Sequence, residues 1–270
     1  MRRRAVHRAC AGERLVRSEL RKLTTTKMPW VFFAVLLAVS AMTAIAVIYG
    51  KDADGCKTFI STAEEQRSLM AFSFNAMIGA GLFAAIAAAR EYGHGTVIPT
   101  FLTTPRRVYA ALAQFRAMFV AGAVMGIVGT AVVIAAVAMA LPATKYGFLM
   151  SAPVVGRLLA ASAFAGAAGA VLGGGVGAIV KHTGGAVTRL VLLLFIAPPL
   201  VAQLASGASS WVPGTLVNVL SGVSHEVSLP AAAAALAGWA LVAAAVGLLA
   251  IRQRDIASLH DHVSHVHYVT

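Results

Sequence analysis

Charge is scarce in this chain, and its scarcity excludes most alternatives. Of 270 residues, 12% are Asp, Glu, Lys or Arg, and only ten are acidic. A soluble domain carries about a quarter charged residues and is about half apolar. Here 59% are hydrophobic and the mean hydropathy is +0.81, which argues against a water-soluble globule and a disordered chain. Two cysteines, Cys10 and Cys56, are too few for a disulfide scaffold. No G-x-x-x-x-G-K-[ST] stretch occurs, so the chain has no phosphate loop. The net charge of +12 belongs to no soluble domain, so a nucleic-acid partner is not expected.

Long charge-free runs take the place of charge. Met28–Gly50, Ser68–Ala89, Ala117–Thr144, Leu158–Val180, Leu190–His225 and Val227–Ile251 contain no Asp, Glu, Lys or Arg. A helix needs about 20 apolar residues to cross a bilayer, so each run supplies one span. The longest run turns polar after Leu204, through Ser206, Ser209 and Ser210 to Pro213, and reads as one span plus an outer loop. The expected fold is an all-α integral membrane protein with six transmembrane helices at about 28–49, 69–89, 117–141, 157–180, 187–204 and 229–251. A 1–27 arm precedes this 28–251 domain and a 252–270 His-rich tail follows it. The arm is longer and the first apolar run broader than in a cleaved signal peptide, so the first span is expected to stay.

Six spans put both termini on one side. Only Lys51, Lys57, Arg67, Lys145 and Arg157 fall on the other side, leaving 17 of the 22 basic residues with the termini. The positive-inside rule then makes both termini cytoplasmic. It sets Cys10 and Cys56 on opposite faces, unable to pair with each other. Within the arm, Leu15, Val16, Leu20 and Leu23 fall within about 140° of a helical wheel, opposite Arg14, Arg17 and Arg21. The expectation is an interfacial amphipathic helix lying against anionic lipid, with Glu19 and Lys22 in the same stretch.

Chemistry-bearing patterns are few. Gly169, Gly173 and Gly177 form two overlapping G-x-x-x-G spacings inside an apolar span, a pattern that lets helix backbones approach closely, within one subunit or between two. Gly122, Gly126 and Gly129 are expected to act similarly. Pro198 and Pro199 interrupt the fifth span, where a kink is expected. Pro213 suits the first turn of a short outer or re-entrant helix. The tail histidines His260, His262, His265 and His267 match no zinc spacing, and no metal site is expected. The segment from Arg90 to Arg107 stands out. Glu91 closes the second span, Gly93 and Gly95 permit a sharp turn, Thr96 suits an N-cap and Pro105 stops a short helix. A short cytoplasmic helix on glycine and proline joints is expected there.

This segment, Glu91, Gly95, Thr96, Leu102, Thr104, Pro105, Arg106 and Arg107, resembles the inner-loop pattern of the permease subunits of bacterial ABC-2 type transporters. Ser18–Leu23 (SELRKL) is similar to the family's N-terminal S-E-x-x-K-L stretch. Lys181–Val187 resembles its turn between the fourth and fifth spans, and Trp211-Val212-Pro213 its last outer loop. Gln114 departs from the pattern, since related permeases carry lysine near this position; Arg116 follows. The resemblance implies a bacterial plasma-membrane subunit that exports substrate as a homodimer or heterodimer. It also implies a separate cytosolic ATPase that binds ATP and magnesium, so this chain is expected to hold no cofactor and to be no enzyme itself. Glu91, Gly95, Thr96, Leu102, Pro105, Arg106 and Arg107 are the residues expected to couple to that ATPase, with Glu91 contacting Arg106, Arg107 or the arm. The alternative is an ATP-independent six-span carrier or a membrane assembly factor. A neighbouring gene for a soluble protein with a phosphate loop separates the two.

The topology is directly testable. Reporters fused after Thr270 and near Asp54 are expected to report opposite sides of the membrane; the same side for both refutes the six-span count.

Overall fold

The computed structural model describes residues 28–50, 60–73, 75–93, 107–180, 182–204 and 206–266, with Ser18, Leu20 and Arg21 helical beside them. Among these residues the chain is helical with no strand. Six helices are long and apolar enough to cross a membrane. Of the expected arm helix, Leu20 is half-buried while Ser18 and Arg21 are exposed. Leu15, Val16, Glu19, Lys22 and Leu23 lie outside the described residues.

Span 1 is α1 (Met28–Tyr49). Span 2 is broken into α2 (Ala63–Ser73) and α3 (Ala76–Gly93), and span 3 is α4 (Arg107–Ala140) with a closing 3-10 turn, Leu141–Ala143. Span 4 is α5 (Ala152–Val180). Span 5 is α6 (Thr183–Val191), a π-helical turn Leu192–Ile196, and α7 (Ala197–Leu204). After a 3-10 turn, Ser206–Trp211, comes the short α8 (Pro213–Ser221). Span 6 is α9 (Leu229–Val266). The ends near residues 28, 93, 107, 180 and 251 form the termini face. Residues 49, 60, 143–152 and 222–229 lie on the opposite face.

Three departures from a simple charge-window picture have local causes. First, α4 starts at Arg107 and has 34 residues, about 51 Å, well beyond a 30 Å hydrocarbon core. Alanines 110, 111 and 113 are strong helix formers, so the charges of Arg107 and Arg116 bound the apolar window without ending the helix. For the same reason α9 runs through Arg252 to Val266; no glycine or proline follows Gly247 to stop it. Second, span 2 breaks at Asn75. The Asn75 carbonyl accepts from the amides of Ile78 (3.1 Å) and Gly79 (3.0 Å), and its Oδ1 accepts from the Ile78 amide at 3.3 Å. That is an N-cap, and it restarts the helix. Third, the kink expected at Pro198-Pro199 is prepared by the π turn, in which the Ala197 amide donates to the Leu192 carbonyl. The prolines bring no amide donors, and a widened turn ahead of them absorbs the mismatch.

Span 4 is the axis of the bundle. In its membrane window 72% of residues are buried, against 22% in span 1, 17% in span 5 and 22% in span 6. The cause is backbone contact through small residues. A Cβ added at Gly169 would overlap the Met77 carbonyl, and one at Gly173 the Gly81 carbonyl. One at Gly177 would lie 2.5 Å from the Ala85 oxygen. The steps of four match on both helices and rise together, so spans 2 and 4 are parallel. On another face of α5, Gly166 meets Gly122 and Ser162 meets Gly126, an antiparallel register with span 3. On a third, a Cβ at Gly175 would stand 2.5 Å from the Ala243 oxygen of span 6. The G-x-x-x-G faces are thus used within one chain. Around them lies a core that includes Met77, Phe115, Ala165, Leu190, Leu216 and Leu236. A second cluster near the opposite face joins Val47, Ile60, Met70, Val137, Leu141 and Leu158.

Bulk at the ladder should separate spans 2 and 4. Gly173→Val is expected to cost at least the 1–3 kcal/mol typical of overpacking, read as a lower Tm in detergent. Gly238→Ala is the control, since a Cβ at Gly238 meets nothing within 4 Å.

Candidate functional site

At the termini face, the ends of spans 2 and 3 are joined. The Gln114 side-chain amide donates to the Glu91 carboxylate, and both residues are half-buried. Glu91 sits in the last turn of α3 and Gln114 two turns into α4, so the bond closes the base of the 94–106 segment between them. Glu91 thus has a partner in Gln114, the residue that departs from the permease pattern. An amide donating to a carboxylate is a charge-assisted bond. Gly95, Thr96, Leu102, Pro105 and Arg106 lie outside the described residues, and Arg107 is placed as the first residue of α4. In the next turn on this face, His182 caps α6, its Nδ1 accepting from the Gly185 amide at 3.4 Å.

At the opposite face, the short helix suggested by Pro213 is present, with Pro213 in its first turn. It goes back into the bundle. Leu216 is fully buried, in the core that contains Ala161, Ala165, Ala232 and Leu236. The indole nitrogen of Trp239 donates to the Trp211 carbonyl at 3.1 Å. Trp239 lies ten residues into α9, about 15 Å along its axis, so the start of α8 lies within the bundle rather than at its rim. The helix is re-entrant, with its N-terminus deep and its C-terminus at the face.

That C-terminus is closed by backbone and side-chain donors. Gly222 adopts φ +80°. The Gly222 amide donates to the Val219 carbonyl (3.1 Å) and the Val223 amide to the Asn218 carbonyl (2.9 Å), the paired closure of a Schellman motif. Two arginines complete it. Arg157, on the first turns of span 4, donates from Nε to the Leu220 carbonyl (3.1 Å) and from Nη2 to the Val219 carbonyl (3.2 Å). Arg67, on α2, donates from Nη1 to the Gly222 carbonyl at 3.1 Å. Cations belong at the negative end of a helix, and a guanidinium fork suits two adjacent acceptors.

Beside Arg67, Gln66 is completely buried and fully satisfied. Its Nε2 donates to the carbonyls of Ile60 (3.1 Å) and Gly147 (3.0 Å), and its Oε1 accepts from the Leu149 amide (3.1 Å). This amide fastens the 144–150 loop to α2. The helix itself begins with a capping box: Thr62 Oγ1 accepts from the Glu65 amide at 3.1 Å, and Glu65 Oε2 accepts from the amides of Ser61 (2.8 Å) and Thr62 (3.2 Å). Sequence reasoning missed Arg67, Gln66, Arg157 and Trp239. The arginines border charge-free windows, which was the available signal; their acceptors lie more than sixty residues away in the chain.

An open apolar groove of about 480 Å³ runs between spans 1 and 3, past Leu37, Ser40, Ala44, Ile48, Val132 and Met139. Among the described residues no group of three or more His, Cys, Asp or Glu is placed to hold a metal ion. The chain matches no family model and no curated protein.

Gln66 gives a stability test. Gln66→Leu keeps most of the volume but removes partners from three backbone groups around a buried site. Each unsatisfied group costs about 1–3 kcal/mol, so a clear drop in Tm is expected; an unchanged Tm refutes the fastening role.

Proposed function

We propose that this chain is the permease subunit of an ATP-driven ABC-2 type transporter, an exporter in the bacterial plasma membrane with both termini cytoplasmic. The observation that carries the reading is the Glu91–Arg107 segment, which resembles the permease inner loop and emerges between helix ends joined by Glu91 and Gln114. The 17 basic residues of the termini face suit the cytoplasmic leaflet, whose anionic headgroups attract them.

The coupling step follows from the connections. Thr96–Thr103 is the coupling helix, seated in a groove of a cytosolic ATPase that binds ATP and magnesium. Leu102 supplies an apolar contact, Gly95 and Pro105 are the joints, and Arg106 and Arg107 lead into span 3. Closure of the ATPase pushes this helix, and the Glu91–Gln114 bond makes the ends of spans 2 and 3 move together. The glycine ladder hands the motion of α3 to span 4, because backbones in contact cannot slide without a clash. The break at Asn75 lets α3 tilt while α2 stays fastened through Gln66. Two permease chains, identical or related, enclose the path. Apolar, alanine- and glycine-rich spans suit an amphipathic or lipid-like cargo.

Glu91→Ala and Gly95→Val test the mechanism. Both are expected to insert and express near the normal level, yet to weaken ATPase co-purification or separate ATP hydrolysis from transport in vesicles. Wild-type binding and transport by both variants would refute the coupling role. The purified chain alone is expected to hydrolyse no ATP; robust hydrolysis would overturn the permease assignment.

A further inference from the structure

The re-entrant helix α8 is held unevenly. Along its length it is a packed wedge, with Leu216 fully buried and Val219 and Leu220 buried beside it, between spans 4 and 6. At its deep end Trp239 donates to the Trp211 carbonyl. At its shallow end three carbonyls, those of residues 219, 220 and 222, are gripped by two guanidiniums from two different helices. The grip is close: a Cβ at Gly222 would stand 3.1 Å from the Arg157 Cζ.

Two features make this grip unusual. Among the described residues both arginines bond only neutral backbone carbonyls, with no carboxylate between them. Two like charges brought to one helix end repel, and a paired carboxylate would relieve that repulsion. The Arg67 Nε is also buried without a partner. The closed arrangement therefore carries an opposing electrostatic and desolvation cost that the carbonyl bonds offset. The glycine ladder of span 4 carries no charge and so no comparable opposition.

We infer that Arg67 and Arg157 form a latch that holds α8 as a plug in the half of the bundle next to the opposite face. Release of the two guanidiniums lets α8 swing out from between spans 4 and 6 and admits water to its deep end. Arg67 rides on α2 and Arg157 on span 4, so a displacement of span 4 relative to α2 pulls the two halves of the grip apart. That displacement is the one the proposed coupling step generates. The inference rests on the transport reading only for what drives the release; the motion itself belongs to the chain alone.

The test reads local opening separately from global stability. In a Cys10→Ser, Cys56→Ser background of the full chain in lipid nanodiscs, a reporter cysteine is placed by Thr215→Cys, on the half-buried deep turn of α8. A control is placed by Thr130→Cys on span 3, where Thr130 is 1% exposed. The probe is a small charged thiol reagent. Adding Arg67→Met with Arg157→Met is expected to raise labelling at position 215 by about tenfold, the scale of losing charge-assisted bonds, while position 130 stays protected. Arg157→Lys, which keeps the charge but loses the fork, is expected to fall between. Unchanged labelling at 215 overturns the latch. Equal increases at 215 and 130 also overturn it, because the arginines then act as ordinary structural supports. Should the double variant not fold, Arg67→Met and Arg157→Met singly are read by the same two outcomes. No ATPase is present in this assay, so loss of the transport assignment would leave its result standing.

Discussion

Backbone contact between span 4 and its neighbours is the constraint on which the other features depend. In lipid, burial of apolar side chains gives little net drive for helix association, since lipid tails are equally apolar. Close approach and its dispersion contacts must supply it. Gly169, Gly173 and Gly177 bring span 4 onto Met77, Gly81 and Ala85. Gly166 brings it onto span 3, and Gly175 onto span 6. Three neighbours can touch one helix at this distance only because its small residues lie on three faces. Span 1 does not share this composition. Span 1 instead presents Trp30, Met42 and Tyr49 outward, as a helix facing lipid does.

With the middle of the bundle so packed, polar chemistry is pushed to the two ends. At the termini face a carboxylate and an amide join spans 2 and 3. At the opposite face two arginines, one glutamine and a left-handed glycine satisfy backbone groups of a helix end and a loop. Both sets meet the same requirement, because a backbone polar group without water needs a partner from the protein. The difference lies in the partners. The glutamine contacts are complete and neutral. The arginine contacts set cations on neutral acceptors and leave one buried nitrogen unpartnered, so that end is the less settled of the two.

Much of the frame was legible in the sequence, because lipid imposes a rule that a linear reading can apply. Charge-free windows mark where helices cross, and Pro213 marked the start of a short helix. Helix ends were less legible: Arg107, Arg116 and Arg252 bound the apolar windows, while the backbone continues in helix for as long as alanine and other good formers allow. The break at Asn75 had a signal, one cap-forming residue inside an apolar run, but Asn in a span reads equally well as a polar contact. The partners of Gln66, Arg67 and Arg157 had none, since their acceptors are carbonyls, which every residue carries. Of the segment resembling the permease inner loop, Glu91 and Arg107 lie within the described residues. Glu91 was singled out by its position at a helix end, whereas its partner Gln114 was noticed only as a departure.

That departure bears on how the two ends communicate. A lysine in the place of Gln114 would give Glu91 an ion pair, whose attraction falls off slowly with distance and tolerates a shifting geometry. The amide of Gln114 offers a directional bond that is lost once the helices move apart by more than a fraction of its length. This bond between spans 2 and 3 is therefore one that holds or breaks, rather than one that stretches. The glycine ladder has the same character, since Gly173 and Gly81 leave no room for intermediate registers. Stiff contacts in series transmit displacement with little loss, and among the described residues of span 2 the helical ladder is interrupted at Asn75. In the proposed coupling step, a push on the 94–106 segment reaches span 4 as motion of α3 and stops short of α2, which Gln66 ties to the loop beside it. On that proposal, the displacement between α2 and span 4 falls on the two arginines that grip the end of α8, one on each element.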